Sequence, residues 1–87
     1  MRFRHKKRGS EYELFDIIYI PATPPADPYH DGDQFRYEED GEPQVASFQC
    51  TSEWYGDGLV VLYYPRKDVG QYARPALEFF DGRFERV

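Results

Sequence analysis

Several features that define particular classes of protein are scarce or missing in this 87-residue chain. Its single cysteine, Cys50, excludes an internal disulfide and a structural zinc held by several thiolates, so a reducing compartment is expected. No apolar run approaches the roughly 18 to 20 residues that a membrane-spanning helix needs. The basic first residues are followed by Glu11, Glu13 and Asp16, where a signal peptide would place its apolar stretch. These absences predict a cytoplasmic protein that binds no membrane.

Motifs that bind nucleotide phosphates or support nucleophilic catalysis are also missing. The glycines form neither G-x-G-x-x-G nor a P-loop, and Gly-Asp-Gly at 56–58 precedes a predicted strand, so no helix N-terminus is offered to a phosphate. Cys50 could pair with His5 or His30 as nucleophile and base, but no third orienting group accompanies them. We therefore predict a non-enzymatic protein in which Cys50 lies inert in a strand.

A short acidic segment around Gly32 offers potential metal ligands. Carboxylates together with one imidazole can hold a divalent cation, but the spacing here matches no metal-binding loop. Acidic residues beside glycine and proline commonly form turns instead. A turn is favoured, and neither a metal nor another cofactor is predicted. The residues concerned are Asp27, His30, Asp31 and Asp33.

Charge is distributed unevenly along the chain. Sixteen acids exceed eleven bases, for a net charge of −5, yet residues 1–8 hold five strong bases and no acid. Residues 11–57 hold twelve acids and one base. Because a nucleic-acid-binding domain is normally basic overall, we expect residues 1–8 to form a solvated, partly frayed basic arm that pairs with the protein's own acids. The alternative is a nucleic-acid-binding module that contacts phosphates through this arm.

Short β-strands separated by turns account for most of the pattern. Residues 59–64 (Leu-Val-Val-Leu-Tyr-Tyr) are apolar on both faces, as in the most buried strand of a sheet. Residues 34–37 and 44–50 flank Asp-Gly-Glu-Pro at 40–43, which predicts a hairpin. Pro75 suits a first helical position and predicts a single helical turn.

Together these elements predict one mainly β domain over residues 1–87. Its architecture is expected to be a small, strongly bent antiparallel sheet or an SH3-like, partly open barrel, with at most one short helical turn. Residues 21–33 are rich in proline and are predicted to form a loop suited to contact with a partner.

Sixteen aromatic residues are more than a domain of this size can bury. We expect several tyrosines and Trp54 to remain partly exposed, where rings beside acids suit a protein interface. The predicted core comprises Phe15, Phe48, Leu62, Tyr63, Phe79 and Phe84. The predicted exposed cluster comprises Tyr29, Tyr37, Trp54 and Tyr55.

Four spaced segments carry a resemblance. They are His-Lys-Lys-Arg-Gly-Ser-Glu-Tyr at 5–12, Leu-Val-Val-Leu-Tyr at 59–63, Ala-Arg-Pro with Phe79 at 73–79, and Asp-Gly-Arg-Phe-Glu at 81–85. In this order they resemble a family of small uncharacterised proteins common in phages, prophages and bacteria, which read H-K-K-R-G-[ST]-x-Y, L-V-V-Y and W-[AV]-R-P-x-x-x-F-x-D-G-R-F. The family has no established activity to carry over. Tyr72 stands where the family usually has Trp, and residues 21–58 are longer than the usual connection, so the distinguishing property of this chain is expected there.

The primary functional prediction is a non-enzymatic interaction protein of phage or prophage type, whose acidic, aromatic middle section binds a host protein. One such role is an anti-defence, anti-CRISPR-like inhibitor that presents carboxylates where a nucleic-acid-handling complex would bind phosphates. The residues expected to contact the partner are Tyr29, Asp31, Asp33, Tyr37, Glu38, Glu39, Asp40, Trp54 and Tyr55.

A second prediction is a sponge for nucleotide signals, which would be a homo-oligomer that binds phosphate through basic side chains and stacks a tyrosine on the base. The default expectation for Arg74 is an internal salt bridge with Glu78 or the C-terminal strand. The phosphate-binding candidates of the nucleotide and nucleic-acid alternatives are Arg4, Lys6, Lys7, Arg8 and Arg74.

Overall fold

The structure is a computed structural model that describes residues 1–21, 28–50, 54, 58–66 and 68–87. The described residues are mainly β, which confirms the predicted class. Tyr55, Asp27 and the rest of 22–27 in the proline-rich loop lie outside the described residues. The elements are β1 (Arg2–His5), β2 (Glu11–Ile20), β3 (Gln34–Glu39), β4 (Glu42–Ser47), β5 (Gln49–Cys50), β6 (Gly58–Tyr64), β7 (Tyr72–Pro75), α1 (Ala76–Phe79) and β8 (Phe84–Arg86).

The strands form a six-stranded sheet and a separate two-stranded hairpin. The order in the large sheet is β5-β7-β6-β2-β1-β8, and β3 pairs only with β4. Each neighbouring pair is antiparallel except β5 and β7, which run parallel, so the large sheet is mixed. The described part of the sheet is open, with β5 and β8 at its edges, and does not close into a barrel.

Strand β6 is buried on both faces, as predicted, and divides the core in two. Because side chains alternate along a strand, Val60 and Leu62 face one way while Val61 and Tyr63 face the other. The first pair belongs to the hairpin-side core, which also contains Phe35, Tyr37, Phe48, Trp54 and Ala73. The second pair belongs to the helix-side core, which also contains Phe3, Tyr12, Phe79 and Phe84.

The first residues of the basic arm are part of the sheet. Arg2–His5 forms β1, which pairs with β2 on one side and β8 on the other, and Phe3 is buried in the helix-side core. The expectation of a frayed arm is therefore wrong for this segment, because ladder hydrogen bonds and an apolar anchor hold it. The expected pairing with the protein's own acids is confirmed for Arg2 and Arg4 by the ion pairs Arg2–Glu11, Arg2–Glu13 and Arg4–Glu85.

The predicted helical turn is present and begins one residue later than expected. Pro75 ends β7 and caps the turn, whose first helical residue is Ala76. The turn buries Phe79 against the helix-side core. Among the described residues, no helix has the length and apolar character needed to cross a bilayer.

Candidate functional site

A cleft of about 230 Å³ opens between the end of β3 and the large sheet. One side is aromatic and the other is acidic, and an amide side chain lies among them. We call it the acidic aromatic cleft. Its lining residues are Phe15, Tyr37 and Tyr64 on the aromatic side, Glu38, Glu39 and Asp40 on the acidic side, and Gln71.

A β-bulge in β2 supplies the aromatic floor. The pairing of β2 with β6 shifts between Leu14 and Asp16, which leaves Phe15 as the extra residue. Phe15 packs against the hairpin-side core, and the Asp16 carboxylate accepts a hydrogen bond from the backbone N–H of Glu38 at 3.3 Å. The bulge thus directs two consecutive side chains toward the hairpin, and Asp16 attaches the acidic end of β3 to the sheet.

The three rings of the cleft are packed against one another. The Phe15 ring centroid lies 5.4 Å from that of Tyr37, edge to face, and 5.3 Å from that of Tyr64. Phe15 also stacks on Phe48 of the hairpin-side core at 6.1 Å. Aromatic contacts at these distances fix ring orientation, so the floor of the cleft is preorganised.

The acidic side is set by a two-residue hairpin turn. Asp40 and Gly41 both adopt positive φ, 52° and 78°, and they connect Glu39 to its cross-strand partner Glu42. Two successive left-handed residues are the signature of the turn that matches strand twist in a tight hairpin, and aspartate and glycine tolerate that conformation. The turn places Asp40 directly after Glu38 and Glu39, so the three carboxylates border one cleft.

Gln71 contributes a polar group that lacks a partner. Its side-chain oxygen is buried and accepts no hydrogen bond from the residues that the structure describes. A buried acceptor left unsatisfied costs free energy, so a donor that entered the cleft and met this amide after a small rotation would remove that cost. Carboxylates, aromatic faces and this acceptor all favour a cationic hydrogen-bond donor over an anion.

The structure brings together four of the residues predicted to contact a partner, namely Tyr37, Glu38, Glu39 and Asp40. Sequence reasoning missed Tyr64 and Gln71 and assigned Phe15 only to the core. The residues just before β7 carry no sequence signal that would place them beside β3. The apolar run at 59–64 predicted that Tyr64 is buried, but it did not predict which residues pack against it.

The predicted exposed aromatic cluster is wrong for Tyr37 and Trp54, whereas Tyr29 is partly exposed. Tyr37 and Trp54 are only 9 % and 8 % exposed, and both belong to the hairpin-side core. Tyr29 stacks on Trp54 at 4.9 Å, and the two backbones exchange hydrogen bonds of 2.6 and 3.1 Å. These rings pack against the face of the large sheet because β3 and β4 cover that face. Hydrophobic periodicity and composition do not reveal this covering.

Asp31 and Asp33 have structural contacts away from the cleft. The Asp31 carboxylate accepts a hydrogen bond from the backbone N–H of Cys50, and that of Asp33 accepts one from the N–H of His30. Both therefore stabilise the loop that leads into β3, as expected for turn residues. Among the described residues, no group of three or more His, Cys, Asp or Glu is arranged to hold a metal ion.

Cys50 is partly buried beside the same loop. Burial raises the pKa of its thiol to about 11, and the carboxylates of Asp33 and Asp31 raise it as well. A thiol with a raised pKa carries little thiolate near neutral pH, so it is a weak nucleophile. This agrees with the prediction of an inert strand cysteine.

The basic candidates lie in three different environments. Arg4 is engaged by Glu85 at 2.7 Å, whereas Lys6, Lys7 and Arg8 are exposed in the turn after β1. Arg74 is only 5 % exposed, and its Nε donates to the hydroxyl of Tyr63 at 3.1 Å. The expected salt bridge of Arg74 is wrong, because no carboxylate among the described residues lies within ion-pair distance of it.

Comparison with known proteins identifies no relative from which a function could be inferred. No known protein family, curated protein or solved structure matches the chain. The resemblance to small phage-type proteins stays a prediction. The function is therefore inferred from the acidic aromatic cleft itself.

Proposed function

We propose that this chain is a non-enzymatic interaction protein whose acidic aromatic cleft binds a basic side chain of a partner protein. The observation that carries the proposal is the arrangement of three consecutive carboxylates, Glu38, Glu39 and Asp40, beside packed rings and the unsatisfied oxygen of Gln71. An arginine guanidinium matches all three features, because it donates five hydrogen bonds, carries a fixed charge and stacks on aromatic faces.

The size of the cleft favours a side chain over a small-molecule ligand. Sites for drug-sized molecules typically measure about 300–1,000 Å³, and this cleft is about 230 Å³. The acidic border would also repel the phosphates of a nucleotide, so the sponge function gains no support at this site.

The charge of the surrounding chain supports a basic partner surface. Residues 11–57 contain twelve acids and one base, and complementary charge raises association rates and selects partners. A surface that binds nucleic acid has the required basic character. The specific form of the proposal is therefore an anti-defence protein that covers such a surface of a host nucleic-acid-handling complex in the host cytoplasm, in keeping with the phage-type resemblance.

A titration with a hexa-arginine peptide, followed by ¹⁵N-¹H NMR, tests the proposal. We expect saturable shifts at residues 37–40, Phe15, Tyr64 and Gln71, and binding that weakens as salt is raised. Glu38→Gln/Asp40→Asn removes two charges from the cleft, and asparagine tolerates the left-handed backbone at position 40. At about 0.2–1 kcal/mol for each exposed ion pair, this variant should bind about tenfold more weakly.

The matched control is Asp68→Asn/Glu78→Gln, which removes the same charge from positions that do not line the cleft. Its affinity for hexa-arginine should stay within about twofold of the unmodified protein, because only long-range charge is lost. Equal weakening of both variants would show that the peptide responds to net charge alone, and the cleft would then not be the binding site. Absence of saturable shifts at the cleft would also overturn the proposal.

A further inference from the structure

The helix-side core contains a buried cation that has no anionic partner in the described part of the chain. Arg74 lies opposite Val61 in the β6–β7 ladder and is 5 % exposed. Its guanidinium carbon is 5.5 Å from the centroid of the Phe84 ring, and its Nε donates to the Tyr63 hydroxyl. Among the described residues it forms no ion pair and no other side-chain hydrogen bond. Burial of a guanidinium without an anion is costly, so this position calls for an explanation.

Further cations surround the same place. The Phe84 ring connects Arg74 to His5, whose ring centroid lies 5.1 Å from that of Phe84. His5 in turn lines a groove of about 400 Å³ together with Lys6, Lys7, Gly82 and Arg83. Burial lowers the pKa of His5, and the charges of Arg8, Arg74, Arg83 and Lys7 lower it further. The positive charges of these four residues are therefore all felt at the His5 ring.

The turn that carries the lysines is held in place by hydrogen bonds. The backbone N–H of Gly9 donates to the carbonyl of His5 at 2.7 Å, and that of Lys6 donates to the carbonyl of Arg83 at 2.9 Å. The N–H of Arg8 donates to Nδ1 of His5 at 3.2 Å. Lys6, Lys7 and Arg8 are in no ion pair among the described residues, so the ordered backbone of the turn presents their charges to solvent.

We infer that this groove, which we call the cationic groove, binds the phosphate groups of a small anion, with Lys6 and Lys7 as the lining contacts and Arg8 beside them in the same exposed turn. Guanidinium and ammonium groups are the side chains that recognise phosphate oxygens. A small phosphorylated molecule, such as a nucleotide, is favoured over a polynucleotide. The body of the chain beyond residue 8 is strongly acidic and would repel an extended polyanion, whereas one or two phosphates fit within the groove.

The test is a titration of the protein with inorganic pyrophosphate, ATP and a short DNA duplex in separate arms, followed by NMR. Pyrophosphate should shift the amide signals of residues 6–9 in a saturable way. It should also raise the pKa of His5 by about one unit, because an anion in the groove offsets the neighbouring cations. Pyrophosphate bound elsewhere on the surface would leave the His5 pKa unchanged.

Exposed variants keep the test independent of folding. Lys7→Gln/Arg8→Gln should weaken pyrophosphate binding about tenfold, and the control Arg36→Gln, on β3, should change it less than twofold. Absence of saturable binding, an unchanged His5 pKa, or equal effects of the two variants would overturn the inference. Tighter binding of the duplex than of ATP would also overturn it, in favour of a nucleic-acid-binding module. The cleft variant Glu38→Gln/Asp40→Asn should retain pyrophosphate binding, which separates this site from the proposed function.

Discussion

Replacing Tyr63 by phenylalanine isolates the energetic consequence of burying Arg74. The Tyr63 hydroxyl accepts the Arg74 Nε–H at 3.1 Å, and the two residues are 2 % and 5 % exposed. A hydrogen bond to a charged group contributes about 1.5–3 kcal/mol, so Tyr63→Phe should lower the free energy of unfolding by about 2 kcal/mol. For a domain of this length that corresponds to a fall in Tm of about 10 °C.

The double variant Tyr63→Phe/Arg74→Met should recover most of this loss. Replacement of a buried polar pair by apolar groups of similar shape is often neutral or stabilising, because the desolvation of the charge disappears. The cation–π contact with Phe84, worth about 0.5–2 kcal/mol, is lost at the same time. We therefore expect the double variant to lie within about 1 kcal/mol of the unmodified protein.

Urea unfolding measured by tyrosine and tryptophan fluorescence and by circular dichroism gives these free energies, provided that the slope m is unchanged. The control is Tyr19→Phe, which removes a hydroxyl from a side chain that is 69 % exposed and should change stability by less than about 0.5 kcal/mol. A double variant less stable than Tyr63→Phe would refute the reasoning. It would mean that the Arg74 charge is stabilised in the fold without an added anion.

Four further predictions concern the side chains of Cys50, His5 and Asp16. Because the pKa of Cys50 is raised from 9.0 to about 11, its thiol should react with iodoacetamide much more slowly at pH 9 than in the urea-unfolded chain, and equal rates would contradict the assigned burial. Between pH 9 and 11 the Cys50 thiol keeps its proton in the folded chain and loses it in the unfolded chain. The free energy of unfolding should therefore fall as the pH rises over this range, and should fall less in Cys50→Ala. The pKa of His5 lies below its ordinary 6.5 in the folded chain, so the imidazole is protonated first in the unfolded chain as the pH falls. The free energy of unfolding should therefore decrease as the pH drops below 6.5. A His5→Gln variant with the same pH profile would argue against this. Asp16→Ala removes the acceptor of the Glu38 N–H and should cost about 1 kcal/mol, with faster hydrogen exchange at Glu38; unchanged exchange there would show that Asp16 does not hold β3.

Local patterns were sufficient to predict the elements whose structure depends on near neighbours in the chain. The hairpin β3–β4 follows from Asp40-Gly41 between two strand-forming segments, because the turn conformation is a local property of those residues. The apolar run at 59–64 predicted β6, since a strand without a polar face must be covered on both sides. The four consecutive residues Tyr37–Asp40 were predicted as contact residues, and adjacency along the strand and turn keeps them together.

Residues brought together from distant parts of the chain could not be predicted in this way. The cleft combines Phe15, Tyr64 and Gln71 with β3, and the bulge that turns Phe15 toward the hairpin depends on how β2 pairs with β6. Likewise, β1 is held in the sheet by pairing with β8. The hydrogen bond between Arg4 of β1 and Glu85 of β8 joins residues that are 81 positions apart in the sequence. Pairing over such separations depends on the topology of the whole sheet, which periodicity does not encode.

The sequence by itself determined the mainly β class, the strand of the central core and the contrast between a basic start and an acidic middle. These properties depend on composition and on neighbours two to four residues apart. Only the tertiary structure decided which aromatic rings are buried, which acids border a cleft, and that Arg74 lies inside a core beside other cations. Burial and electrostatic environment belong to the assembled sheet, because a side chain's exposure is set by whatever strand or turn covers it.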